Sequence, residues 1–283
     1  MPTLRQLTTS LSTALQALYP APEADSMACW VLEHLLGLSP LQRRMQASEP
    51  VPEPVLERLA TIQARLLGHE PLQYVLGTAH FAGLELEVTA ATLIPRPETE
   101  ELVALILREQ QGRSGLQVLD VGTGSGCIPI ALGLGLSGAT ITAVDISPEA
   151  LAVAQRNATK YAVAINFQHL DILTTEPGLT APLDVLVSNP PYVLEEERAL
   201  MRPNVLEFEP ATALFVPNHD PLLFYRRIAG LGQSWLREGG TLYFEINEQY
   251  ALDTAALLRQ QGYQQIEVLP DLFGKDRMAR ATR

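Results

Sequence analysis

Leu4, Leu7, Leu11, Leu15 and Leu18 recur at spacings of three and four, which predicts an amphipathic helix with one apolar face. Residues 25–37 (DSMACWVLEHLLG) predict a second helix, with Asp25 or Ser26 as N-cap and Gly37 as its stop. Pro40–Ala47 predicts a short third helix. Pro54–Leu67 predicts a fourth, with proline in its first turn and Gly68 just past its end. Residues 1–72 therefore read as a small helical bundle. The period then changes. Between Tyr74 and Leu93 the apolar positions are broken by Gly77 and Gly83, and LELEV alternates with period two, so residues 73–95 read as a β-hairpin linker. The segment IPRPETE at 94–100 closes it, and a helix runs on to about Gln110.

From Leu116 onward, strand and helix signals alternate. LQVLDV, TITAVDI, INFQHLD and LDVLVSNPPY are strand-like. A small-residue helix follows the first, and a helix over Pro148–Tyr161 follows the second. A long loop leads to a helix near Pro221–Leu236, the strand GTLYFEI, and a helix near Tyr250–Gln261. QQIEVLP and DRMARAT close the chain as an antiparallel pair. Residues 96–283 thus predict an α/β, doubly wound, Rossmann-like sheet with a terminal antiparallel hairpin.

Composition narrows the field. Hydrophobic residues are 47% and charged residues 18% of 283, ample for packed cores. No apolar run approaches the roughly 18–20 residues of a membrane span, and the first residues carry no secretory pattern. Two cysteines, Cys29 and Cys127, exclude a disulfide framework and fit a reducing, cytoplasmic setting. The net charge is −12 and the excess of acid is not confined to a tail, so bulk electrostatics do not favour a phosphate backbone. Five histidines show no paired metal-ligand spacing, so no metal site is expected.

The segment VLDVGTGSG follows a strand and opens a helix. Gly122, Gly124 and Gly126 permit close backbone approach and positive φ. A tight strand-to-helix turn alone would use the same glycines, but the surroundings say more. The spacing is G-x-G-x-G, not the G-x-G-x-x-G of dinucleotide sites, and no Gly-Lys-Ser/Thr follows as in a P-loop. Asp120 precedes the first glycine by two positions. A carboxylate there repels phosphate and tolerates a cation, and S-adenosylmethionine carries a sulfonium and an ammonium. Asp145 ends the second strand, where a carboxylate can accept hydrogen bonds from both ribose hydroxyls. Asp171 ends the third, either beside the adenine or simply capping a turn, with Ile172 placed to pack on the purine.

The tetrad Asn189-Pro190-Pro191-Tyr192 ends the fourth strand, where a doubly wound sheet binds its ligands. Two prolines fix an extended path and remove two donors. The Asn189 side-chain oxygen and the Pro190 carbonyl remain as fixed acceptors for a planar NH2 group. The Tyr192 ring is placed to wall or stack on that group. Such nitrogens, in amides, adenine, cytosine and guanine, are weak nucleophiles. Fixing both N–H bonds aims the nitrogen at a methyl donor and stabilises the charge that develops on it.

With both motifs in place, the sequence resembles the release-factor glutamine methyltransferases (HemK/PrmC type) among class I S-adenosylmethionine-dependent methyltransferases. The resemblance runs over nearly the whole chain. It includes the front helices, residues 71–103 with IPRPETE, VLDVGTGSGCIPIAL at 118–132, AVDISPEALAVAQRNA at 143–158, VSNPPY at 187–192 and FEPATAL at 208–214. It implies methylation of the glutamine amide in the Gly-Gly-Gln motif of peptide-chain release factors. Residues 96–283 would then be the methyltransferase domain. Asp120, Gly122, Thr123, Gly124, Ser125 and Gly126 would line the cofactor, Asp145 would hold its ribose, and Asp171 and Ile172 would flank adenine. Asn189, Pro190, Pro191 and Tyr192 would form the catalytic pocket, with Asn189 also touching cofactor. Arg96, Glu98 and Thr99 are substrate-pocket candidates from the linker motif. The expected partner is a release factor, with no nucleic acid or membrane bound, and the expected state is a monomer.

Two further features stand out. EEER at 195–198 is a solvated loop face or a flap for a basic partner, and Glu209 reads as either a loop anchor or a pocket residue, with the anchor favoured. The competing activity is amino-group methylation of a nucleic-acid base, since the tetrad is shared. A non-enzymatic cofactor-binding module is disfavoured by the intact tetrad.

Overall fold

The computed structural model describes all 283 residues. They form two compact units. One comprises Met1–Gly77 with Arg202–Phe208, the other Thr78–Met201 with Glu209–Arg283.

The first unit holds α1 (Leu4–Leu15), α2 (Ala21–Leu36), α3 (Pro40–Met45), α4 (Glu53–Leu67) and α5 (Leu72–Leu76). Thr3 and Gln6 cap α1 reciprocally, and Gly37 closes α2 at φ +64°. Leu11, Leu15, Ala28, Val31, Leu32 and Leu66 form its buried centre. The start of α2 differs from the sequence expectation. It begins a turn before Asp25, because Pro20 and Pro22 set up the first turn. The Asp25 carboxylate instead accepts from the Ser12 hydroxyl of α1. The region near Tyr74 is also helical: α5 runs from Pro71 to the left-handed Gly77, and only the following residues are extended.

The second unit opens with the hairpin β1 (Thr78–Phe81) and β2 (Leu84–Glu87), then α6 (Pro97–Glu109). It continues with β3 (Gln117–Val121), α7 (Cys127–Gly135), β4 (Thr140–Asp145), α8 (Pro148–Lys160), β5 (Ile165–His169) and β6 (Leu183–Ser188). The expected long loop is largely structured. It carries β7 (Val193–Leu194), a tight turn over Glu195–Leu200, α9 (Pro203–Leu206) in the first unit, α10 (Ala211–Leu214) and β8 (Phe215–Val216). Then come α11 (Leu223–Trp235), β9 (Leu236–Glu245), α12 (Ala251–Gln260), β10 (Gln264–Pro270) and β11 (Asp276–Thr282).

Seven strands form one sheet in the order β10-β11-β9-β6-β3-β4-β5. The five from β9 to β5 are parallel. β11 runs antiparallel between β9 and β10, giving the terminal hairpin that the sequence predicts. Parallel strands covered on both faces must be apolar throughout, and all six residues of β6 are buried. Alternate residues feed opposite faces: Leu119 and Val121 join one apolar cluster, Val118 the other. The hairpin is tied to this unit by α8. Asn157, 1% exposed, exchanges hydrogen bonds with the Glu87 backbone and also donates to the Ser125 carbonyl. No helix is long and apolar enough to cross a membrane.

Candidate active site

β3 pairs with β4 on one side and β6 on the other, so the chain leaves it in both directions. A crevice opens at the carboxyl ends of strands where the order reverses in this way. The register sets Val121 beside Ser188, and the Ser188 hydroxyl donates to the Val121 carbonyl at 2.7 Å. The glycine loop and the proline tetrad therefore start side by side. Gly126 sits at φ +81°, and a Cβ there would stand 3.1 Å from the Ala154 Cβ of α8. Only glycine permits both that backbone and that approach.

A cavity of about 300 Å³ occupies the crevice, at the lower end of the range for small-molecule sites. Gly122, Gly124, Asp145, Asp171, Ile172 and Asn189 line it, together with Pro190 and Pro191. Asp145 accepts Gly124 N–H at 2.8 Å on one oxygen and Ser147 N–H at 2.9 Å on the other. Burial pushes its carboxyl up, and those backbone donors pull it back. Asp171 borders the cavity and caps its turn by accepting Leu173 N–H at 2.9 Å. Ile172 is fixed through its carbonyl by Arg227 at 2.9 Å. This donor set fits S-adenosylmethionine. It offers a carboxylate with spare lone pairs at the end of β4, an apolar slot at Ile172, and no cation for a phosphate.

Four residues expected to line the cofactor do not border this cavity: Asp120, Thr123, Ser125 and Gly126. Asp120 is fully buried, and neither of its oxygens has a partner in hydrogen-bond geometry. Burial pushes its carboxyl up to about 7; the nearby Thr123 hydroxyl opposes this and Asp145 adds to it. The sign of the effect on stability follows. Between about pH 4 and 7 the folded chain holds a proton at Asp120 that the unfolded chain has lost, so stability falls as pH rises. Asp145 and Glu245 are raised too and act in the same sense. Urea denaturation of the cofactor-free protein is expected to show a loss on the order of 2 kcal/mol from pH 5 to pH 8. Asp120→Asn should flatten that slope; an unchanged slope would remove Asp120 as its source. Cys127 is buried, and its thiol is pushed up to about 12 by that burial, away from the reactive thiolate.

Tyr192 is a second correction. Its ring does not border the cavity, and its hydroxyl donates to Glu245 at 3.0 Å. The Asn247 side chain donates to the Tyr192 carbonyl at 3.2 Å, so the far end of the tetrad is anchored. Arg96, Glu98 and Thr99 do not line the cavity either. Arg96 pairs with the buried Glu209 at 2.5 Å, and Glu209 also accepts Ile94 N–H, which makes it the loop anchor expected. Thr99 accepts from Asn189 Nδ2 at 3.2 Å and donates to Glu245 at 2.6 Å. Glu98 has a weaker role, adding negative potential near Glu245. Sequence reasoning missed Glu245. Its signal is a carboxylate closing the apolar run Leu242-Tyr243-Phe244 at the sheet's binding end, well past the exposed Arg237 and Glu238 at the strand's start.

Comparison with known proteins agrees with this geometry. Residues 6–77 match the PrmC N-terminal domain and residues 99–206 the methyltransferase small domain. A release factor glutamine methyltransferase from Bacteroides thetaiotaomicron is 41% identical over 280 residues, covering 99% of this chain and all of that one. Its counterpart from Deinococcus radiodurans is 36% identical over 281 residues, covering 99% and 98%. A methyltransferase structure from Pyrococcus furiosus superposes with a TM-score of 0.50 at 17% identity, covering 79% of this chain and 98% of that one, a likeness of fold alone. Full-length identity at this level, on a sheet with this crevice, settles the kinship: the chain belongs to the release factor glutamine methyltransferase family.

Proposed function

We propose that this protein methylates the side-chain amide nitrogen of the glutamine in the Gly-Gly-Gln motif of peptide-chain release factors, using S-adenosylmethionine. One observation carries the reading: Asn189 and Pro190 border the same cavity as Gly122, Gly124 and Asp145. A planar NH2 group held by the tetrad therefore lies within reach of a cofactor held by the loop. The full-length relatives named for this activity supply the substrate.

When bound, the cofactor supplies an electrophilic methyl group on a sulfonium. The chain's task is to hold and aim the acceptor. Asn189 Oδ1 accepts one amide N–H and the Pro190 carbonyl accepts the other. Pro191 has no N–H to compete for them. Pinning both hydrogens turns the nitrogen's face toward the methyl donor and favours the positive charge that grows there. The amide needs no strong base, and the proton leaves to water afterwards. Asp145 would hold the ribose, Ile172 would pack on the adenine, and the glycine loop would admit the methionine portion. The protein acts as a monomer in the cytoplasm, with the release factor as its partner.

The test is incubation with labelled S-adenosylmethionine, a release factor, and total RNA and DNA as competing acceptors, with the label located by mass spectrometry. Label on the Gly-Gly-Gln glutamine is expected. Label on a nucleobase alone would overturn the substrate and leave the cofactor chemistry standing.

A further inference from the structure

A carboxamide can present either end to a ligand, and only one end of Asn189 serves the proposed acceptor. If Oδ1 faces the cavity it accepts the substrate's N–H; if Nδ2 faces it, two donors meet and the substrate is repelled. The tetrad itself does not choose between these states. Thr99 and Glu245 do.

Glu245 ends β9 and is 1% exposed. One carboxylate oxygen lies 2.6 Å from the Thr99 hydroxyl, the other 3.0 Å from the Tyr192 hydroxyl. When Glu245 is ionised its carboxylate only accepts, so both hydroxyls donate to it. Thr99 has one O–H proton, and it is committed to Glu245. The Thr99 oxygen can then only accept from its other neighbour. The Asn189 atom 3.2 Å away is therefore Nδ2, and Oδ1 is left for the cavity. Each element of the chain of bonds is rigidly placed. Thr99 is in the first turn of α6 behind Pro97 and is 3% exposed. Ser188, just before Asn189, pairs with Phe244, just before Glu245.

We propose that Glu245, acting through Thr99, is a positioning residue that fixes the Asn189 carboxamide with its oxygen toward the acceptor, so that the site selects substrates offering N–H donors. The proposal rests on the glutamine-amide reading above and deepens it. Tyr192, on the same carboxylate, serves this relay in place of walling the pocket.

Glu245→Gln tests the relay at nearly constant size. Its NH2 can donate to Thr99, which releases the Thr99 proton to point at Asn189 and turns the amide over. The expected result is a fall in kcat of about 10–100-fold, with KM for the release factor and the cofactor Kd within about threefold. Thr99→Val should show the same split, and Thr99→Ser should recover to within about fivefold, which covers the case of a Glu245 variant that fails to fold. In an Asn189→Ala background, Glu245→Gln should add less than about threefold, since its route runs through Asn189. An active wild type with Glu245→Gln unimpaired, or with its full effect persisting on Asn189→Ala, would overturn the relay alone. A wild type that places no methyl on the glutamine would overturn the underlying reading and the relay with it.

Discussion

Asn189→Ala is expected to lower methyl transfer to the release factor by about 10³-fold while S-adenosylmethionine still binds within roughly fivefold of wild type. The basis is the asymmetry between holding and aiming. Removing one preorganised hydrogen-bond partner of a developing charge costs about 10²–10³ in rate, and in the role proposed for it the same side chain also orients the attacking nitrogen. An amide nitrogen that can rotate presents its delocalised lone pair to the methyl only in a fraction of its conformations. A cofactor filling the cavity would, by contrast, contact much of its lining, of which Asn189 is one part. Some stability should also go, because Thr99 loses the donor at 3.2 Å that its buried oxygen accepts; about 1–2 kcal/mol is expected for such an orphaned group. Single-turnover transfer, cofactor titration and urea denaturation separate the three effects. Transfer within fivefold of wild type would remove Asn189 from the aiming role. Asn189→Asp is expected to fail as well, although it keeps an acceptor. It cannot donate to Thr99, and it sets a second carboxylate close to Glu245.

The parts of this site legible in the sequence are those that local chemistry places. The glycine loop and the tetrad are contiguous runs at strand ends, and parallel pairing of the strands that carry them brings them together. Asp145 is legible because a strand of known length ends at it. The rest depends on facts that sequence spacing does not carry. Asp120 stands two residues from Gly122, yet it closes on the interior instead of the cavity. Tyr192 follows two prolines whose fixed path takes it past the cavity to Glu245. Thr99 and Glu245 are 146 residues apart and meet only because α6 packs beside the end of β9. The bounds of α2 shift by a turn for a simpler reason: Pro22 at the helix start outweighs a good capping residue further in. Local signals thus locate the groups that touch ligands, while the groups that orient them come from the sheet's long-range pairing.

Asp145 carries the other large effect. Its carboxylate joins three things: the end of β4, the glycine loop through Gly124 N–H at 2.8 Å, and the start of α8 through Ser147 N–H at 2.9 Å. Ser147 in turn caps α8, accepting Ala150 N–H at 3.0 Å. Each oxygen keeps a lone pair for a ribose hydroxyl after meeting its backbone donor. Asp145→Ala removes both functions, and cofactor affinity is expected to fall about 10²–10³-fold, the scale of two charge-assisted hydrogen bonds lost together with loop order. Asp145→Asn should lose less, about 10–50-fold, because its oxygen satisfies one backbone N–H while its NH2 meets the other as a second donor. A 2′,3′-dideoxy analogue of the cofactor separates loop support from ribose recognition. If Asp145 grips the hydroxyls, that analogue should bind wild type far more weakly than S-adenosylmethionine does, and Asp145→Ala should discriminate little between the two. If both proteins discriminate equally, the carboxylate only braces the loop, and the ribose is held elsewhere. Calorimetric titration of both ligands into both proteins decides between them.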